Sequence, residues 1–162
     1  GNIAPLGAGI YNSEHSNPTL TSVLFFGNQA SQEGAAIYNS YSTPTLINSI
    51  LWDSGPDEIS GNTVTYASYS IIQGGYPGEA ILHDDPLLGP LQDNGGFTLT
   101  HALLPGSPAI DTGFPGNCPL FDQRGYFRPL DGNGDGVPVC DMGPYEFSLS
   151  TPVLIYLSLI VK

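Results

Sequence analysis

Six residues, Asp131-Gly132-Asn133-Gly134-Asp135-Gly136, form the densest local chemistry in the chain. Oxygen-bearing side chains at alternate positions, with Gly at the sixth, make the opening half of a calcium loop. The backbone carbonyl of Val137 falls at the seventh position. The twelfth is Met142, where the pattern asks for a bidentate acid; Asp141, one place earlier, substitutes only in a different loop geometry. The competing reading is a Gly-rich turn whose Asp and Asn side chains bond their own backbone.

The second candidate is Trp52-Asp53 with Asp57-Glu58, a carbohydrate-facing patch of one large ring and three carboxylates. Glycoside hydrolysis takes two carboxylates, about 5 Å apart for retention and farther for inversion. The surrounding run SGPDEISG has turn composition throughout, which favours a solvated loop. His83-Asp84-Asp85, before Pro86, reads as a polar corner rather than a metal or acid–base group. Ser107 lacks the nucleophile-elbow pattern and His101 has no evident orienting partner, so no triad is assigned. Arg124 and Arg128 are the only internal cations, each expected to pair with a carboxylate of this region, Asp122, Asp141 or Glu146. A catalytic arginine of the polysaccharide-lyase kind is the rival reading for them.

The elements that must position these groups are written in a repeat. GAGIYN at 7–12 returns as GAAIYN at 34–39, and NPTLTSVLF at 17–25 returns as TPTLINSIL at 43–51. A period in the twenties marks a solenoid. The runs are β-branched and aromatic, broken by Gly, Pro, Asn and Ser, so the unit is strands and corners rather than helices. Stacked units put Ile10, Ile37 and Val64 in one column. Asn12 and Asn39 then form an amide ladder, and Tyr11 and Tyr38 stack beside it. Phe25-Phe26 and Leu51-Trp52 occupy matching places, with at most one of each pair inward. From Val64 onward the unit narrows: Ile50 to Ile71 spans fewer residues than the earlier repeats. The fold class is all-β, a parallel β-helix.

GAGIYN, NPTL, then GN and GAAIYN resemble the rungs of secreted bacterial right-handed parallel β-helix proteins, a superfamily of pectate-lyase-like fold with both enzymes and non-catalytic surface proteins. The right hand is implied by that resemblance. LQDNGG-TLTHALLPGSPAID and CP-DQRG-RP-DGNGDG-CD-G-E, within residues 84–147, are similar to the C-terminal segment of the "choice-of-anchor" kind. The resemblance implies rungs over 1–83, a cap over 84–147 and no catalytic residue. It also implies an extracellular or cell-surface setting. There Cys118 and Cys140, the only cysteines, are expected to be disulfide-bonded; two reduced thiols would fit a cytosolic protein.

Fifteen Asp and Glu face three Lys and Arg, a net charge of −12, and residues 1–123 hold neither Lys nor Arg. Nucleic acid is excluded as a partner, because phosphate neutralisation needs clustered cations. The tail SLSTPVLIYLSLIVK is too short an apolar run for a membrane span. Val153, Leu154, Ile155, Tyr156, Leu157, Leu159 and Ile160 instead read as a strand that pairs with the same chain or with a neighbour. No leader is visible and the sequence opens within a repeat, so a mature or trimmed chain is expected. The expected function is a non-enzymatic surface module for adhesion or self-assembly, with itself as partner in an oligomer or filament. The alternative is a carbohydrate-binding or carbohydrate-active β-helix with a glycan partner.

Overall fold

The computed structural model describes residues 1–55 and 57–149. Short apolar runs between Gly, Asn and Ser corners give strands of three to seven residues. The first coil holds β1 (Ile3–Leu6), β2 (Ile10–Asn12), β3 (Thr19–Thr21) and β4 (Leu24–Phe26). The second repeats it with β5 (Gln29–Glu33), β6 (Ile37–Asn39), β7 (Thr45–Ile47) and β8 (Ile50–Trp52). The third has β9 (Ile59–Gly61) and the longer β10 (Tyr66–Ile72), which pairs with both β7 and β8. β11 (Gly78–Leu82) lies on β10.

All of these pairings are parallel. Ile10 stands on Ile37 and Ile37 on Ile59; Leu24 on Ile50 and Ile50 on Ile71. The column that the sequence assigned to Val64 is therefore completed by Ile59, and Val64 is 55% exposed. The reason is the narrowing of the third coil. It drops residues ahead of TVTY, which consequently lies beside the stretch leading into β7: the Ser42 amide donates to Thr63 Oγ1, and Tyr66 pairs with Thr45.

The corners stack as the strands do. Ser22, Asn48, Tyr69 and Ala80 hold φ of 51°, 51°, 46° and 51°, one above another through four successive passes of the chain. A left-handed residue turns the chain between two strand segments, and non-glycine residues adopt it at a cost that surrounding contacts must offset. Asn tolerates it best, and Asn48 adds three bonds: it accepts from the Phe114 amide and donates to the carbonyls of Phe114 and Asn117.

Alternation along the strands divides the apolar residues between two cores. Ala36, Ile37, Leu46, Leu51, Ala67 and Ile72 fill the first, inside the coils. Ile50 and Ile71 point the other way and pack with Leu103, Ala109, Ile110 and Met142 from the C-terminal segment. That segment contains an antiparallel pair, β12 (Leu88–Gln92) with β13 (Thr100–Leu103), and a single turn of 3-10 helix at Pro115–Asn117. It lies along the flank of the sheet, reaching Phe26 of the first coil through His101 and Tyr69 of the third through Phe114.

The polar column is as ordered as the apolar ones. Asn12 Nδ2 donates to Asn39 Oδ1 at 2.9 Å, and Asn39 Nδ2 donates to Thr65 Oγ1 at 2.9 Å. All three residues are buried. Tyr11 and Tyr38 stack at 5.3 Å. Asn39→Ala removes both bonds and leaves buried partners unmet. It should lower unfolding free energy by about 2–3 kcal/mol in urea titration; a loss below about 0.5 kcal/mol would mean that the ladder contributes little.

Candidate functional site

Glu58 is a buried acid with one carboxylate oxygen left unpaired. Its carbonyl is fixed by the amides of Ala36 (3.0 Å) and Ile37 (2.8 Å) as β9 joins the ladder. Its side chain is 5% exposed. Oε1 accepts from the Ser54 amide at 3.0 Å, whereas Oε2 is buried with no hydrogen-bond partner. Burial, above all, pushes its pKa up to about 7; bonds from Ser54 pull it down and the charge of Asp53 adds to the rise.

Glu58 lines a cleft of about 210 Å³. Ser54, Asp57 and Ile59 line it from the same stretch of chain; Ile72, Gln73, Gly74, Gly75 and Tyr76 supply a second wall. The second wall exists because the chain makes a short return after β10, with Ala67 paired to Gly78. Within that return Tyr76 packs on the inner core, and its hydroxyl accepts from the Thr65 amide. Gln73 Oε1 takes the Asp53 amide at 2.7 Å and ties the two loops together.

Of the expected carbohydrate patch, Asp57 and Glu58 line this cleft. Asp53 stands close enough for its charge to act on Glu58. Trp52 does not join them. It is half-buried and packs against the outer core beneath the C-terminal segment, because Leu51 takes the inward position of that three-residue strand. Sequence reading missed Ser54, which opens the SGPDEISG run read as a solvated loop, and Gly74, Gly75 and Tyr76, whose one signal was the turn-rich QGGYP run.

The Gly-rich loop is curled by its own side chains. Asp131 accepts from the amides of Gly134 and Gly136, Asn133 from Asp135, and Asp135 from Val137. Asp141 is elsewhere: it is fully buried, accepting from the amides of Asp111 and Phe147, and Met142 is in the outer core. The acid that meets the loop is Asp111, whose Oδ2 accepts from Gly132 and Asn133. Among the described residues no group of three His, Cys, Asp or Glu side chains is placed to hold a metal ion.

Both arginines are buried in ion pairs. Arg124 meets Asp122 through Nε (2.9 Å) and Nη2 (2.7 Å), with its guanidinium 3.5 Å from the Tyr145 ring centre. Arg128 Nε meets Glu146 at 2.7 Å, and its other nitrogens donate to the carbonyls of Asp141 and Gly143. Burial pushes Asp141 up to about 7, helped by the charge of Glu146, and raises Glu146 against the pull of Arg128. Cys118 and Cys140 are disulfide-bonded, with Cα atoms 5.9 Å apart. His83 and Asp84 are exposed, Asp85 accepts from the Leu87 amide as a corner residue does, and Ser107 Oγ donates to the Pro86 carbonyl.

Compared with known proteins, the chain matches no protein-family model, no curated protein and no solved structure.

The raised acids set a pH dependence. Glu58 and Asp141 hold their protons to about pH 7 when folded and release them nearer their ordinary values of 4.5 and 3.8 when unfolded. Stability from this source is full below about pH 4 and is lost as pH rises through about 7. Glu58→Gln keeps the acceptor for Ser54 and removes the titration. It should match the parent near pH 4 and exceed it near pH 8, by up to roughly 3 kcal/mol. Parallel urea titrations at both pH values check this; an equal offset at both would show that Glu58 is not the titrating group.

Proposed function

We propose that the chain is a right-handed parallel β-helix module of an extracellular or cell-surface protein, non-enzymatic, serving adhesion or self-assembly. The observation that carries this reading is the stack itself. Isoleucine, asparagine and tyrosine columns continue from coil to coil, and the regular coils devote their side chains to their own neighbours. Among the described residues, β1 to β4 hydrogen-bond on one side only, to the second coil or its continuation. Their other edge offers amides and carbonyls to a further coil, from the same polypeptide or from a second copy. The disulfide supports an oxidising setting. No helix among the described residues is long and apolar enough to cross a membrane.

The polysaccharide-directed alternative loses its aromatic anchor, because Trp52 is turned under the C-terminal segment. Arg124 and Arg128 are committed to buried ion pairs, so a lyase arginine is not available from them. The expected strand-donating residues, Val153 to Leu157 with Leu159 and Ile160, lie outside the described residues. Molar mass in solution and electron microscopy of the full chain, beside one cut after Phe147, test assembly. Oligomers or filaments in the full chain and monomers after the cut assign assembly to the tail. Oligomers in both assign it to the coil edge. Monomers in both retire self-assembly.

Calcium belongs to the same reading, as a ligand of the curled 131–137 loop. The support is the alternation of Asp131, Asn133 and Asp135 and the approach of Asp111, which holds one buried oxygen without a partner. Calcium chloride should raise the thermal midpoint of the parent and leave Asp131→Asn unmoved. Equal shifts in both, or none, retire calcium.

A further inference from the structure

We infer that the Glu58 cleft binds a small organic ammonium ion, with Glu58 Oε2 as the central acceptor and Asp57 beside it. This goes beyond the structural role of the coils and does not rest on it. Three observations carry it. A carboxylate oxygen is buried and without a donor, in a residue 95% removed from solvent. Its residue lines a cleft of about 210 Å³ together with further polar groups. Gly74 and Gly75 line the same cleft, and a Cβ added at either would meet no atom within 4 Å.

The chemistry of the walls selects the class. Oε2 needs a donor, so an acceptor-only anion is repelled, and Asp53 and Asp57 repel it further. Both arginines are engaged elsewhere, and among the described residues no cation answers Glu58. Among the described residues no third acid, His or Cys joins to make a metal shell. An ammonium brings both the N–H donors and the charge. Ile59, Ile72 and the Tyr76 ring give its alkyl part an apolar surface.

Binding requires ionised Glu58, so it must release a proton where Glu58 is still largely protonated. The titratable groups facing Glu58 are Asp53 on its own loop, Asp57 beside it and Tyr76 on the return loop.

The probe is n-propylammonium chloride, titrated into the full ¹⁵N-labelled chain at about pH 8, where Glu58 is ionised. The Gly74 and Gly75 amides should shift saturably. Glu58→Gln, whose own spectrum reports its folding, should bind at least about ten-fold more weakly. Glu14→Gln, on an exposed corner of the first coil, should bind as the parent does. Calorimetry of the parent at about pH 6, repeated in buffers of different ionisation heat, should show proton release. Unchanged affinity in Glu58→Gln overturns the proposal, as does an equal loss in Glu14→Gln, which would mean general attraction to an acidic protein. Absence of proton release overturns it too. So would glucose shifting the same amides where propylammonium does not, which would mark a neutral sugar site.

Discussion

Everything in this molecule depends on backbone pairing in parallel register, with coils about 4.8 Å apart. Once one coil is laid down, the next has no freedom in where its side chains fall. Like must then stand on like, and only some residues accept that. Isoleucine on isoleucine buries both. Asparagine on asparagine works because an amide both donates and accepts, so Asn39 serves Asn12 above and Thr65 below. A lysine on a lysine would place like charges one rung apart. The absence of Lys and Arg from residues 1–123 is consistent with that constraint.

The sheet of β4, β8 and β10 is apolar on both faces, so the coils cannot stand alone there. The flanking segment that covers it has little regular structure, and its carbonyls have few ladder partners. The two internal arginines fill that need. Arg128 serves one carboxylate and two carbonyls; Arg124 serves Asp122 and the Glu146 carbonyl between two tyrosine rings. A guanidinium has five donors in a rigid fork, which suits an irregular backbone better than an ammonium would. Asn48 makes the complementary tie from the coil side, and the disulfide closes the 118–140 stretch. Removing one partner of such a buried pair leaves the other charge unmet, which is why these groups come as a set.

The stack was legible because the repeat is explicit in GAGIYN and GAAIYN, and identical motifs paired in register leave little choice. The parallel strands, the Asn ladder, the Tyr stack and the Ile50–Ile71 step all follow from it. Val64 was misplaced because TVTY imitates a strand motif at the old period, while the third coil had already shortened. Trp52 was misplaced because alternation over three residues does not reveal which end faces in. Glu58 reads as a turn acid beside Asp57. Its burial depends on a return loop packing over it, and nothing local to DEIS encodes that.

That return loop explains why unmet chemistry arises where it does. The first step of the stack, Ile10 to Ile37, spans 27 residues; Ile37 to Ile59 spans 22, and Ala67 to Gly78 only 11. While the period holds, side chains such as Asn12 and Asn17 find a counterpart one coil on. When the period shortens, residues that would have formed an outer corner are drawn over the end of the inner core. Tyr76 does this with its hydroxyl satisfied by the Thr65 amide. The 53–58 loop has no equivalent loop of its own kind to stack upon. It is met instead by Gln73, Gly74 and Gly75, which answer the Asp53 amide but not Glu58 Oε2. A perfect repeat would have satisfied that oxygen or exposed it to water; the taper does neither, and so leaves an acid poised for an outside partner.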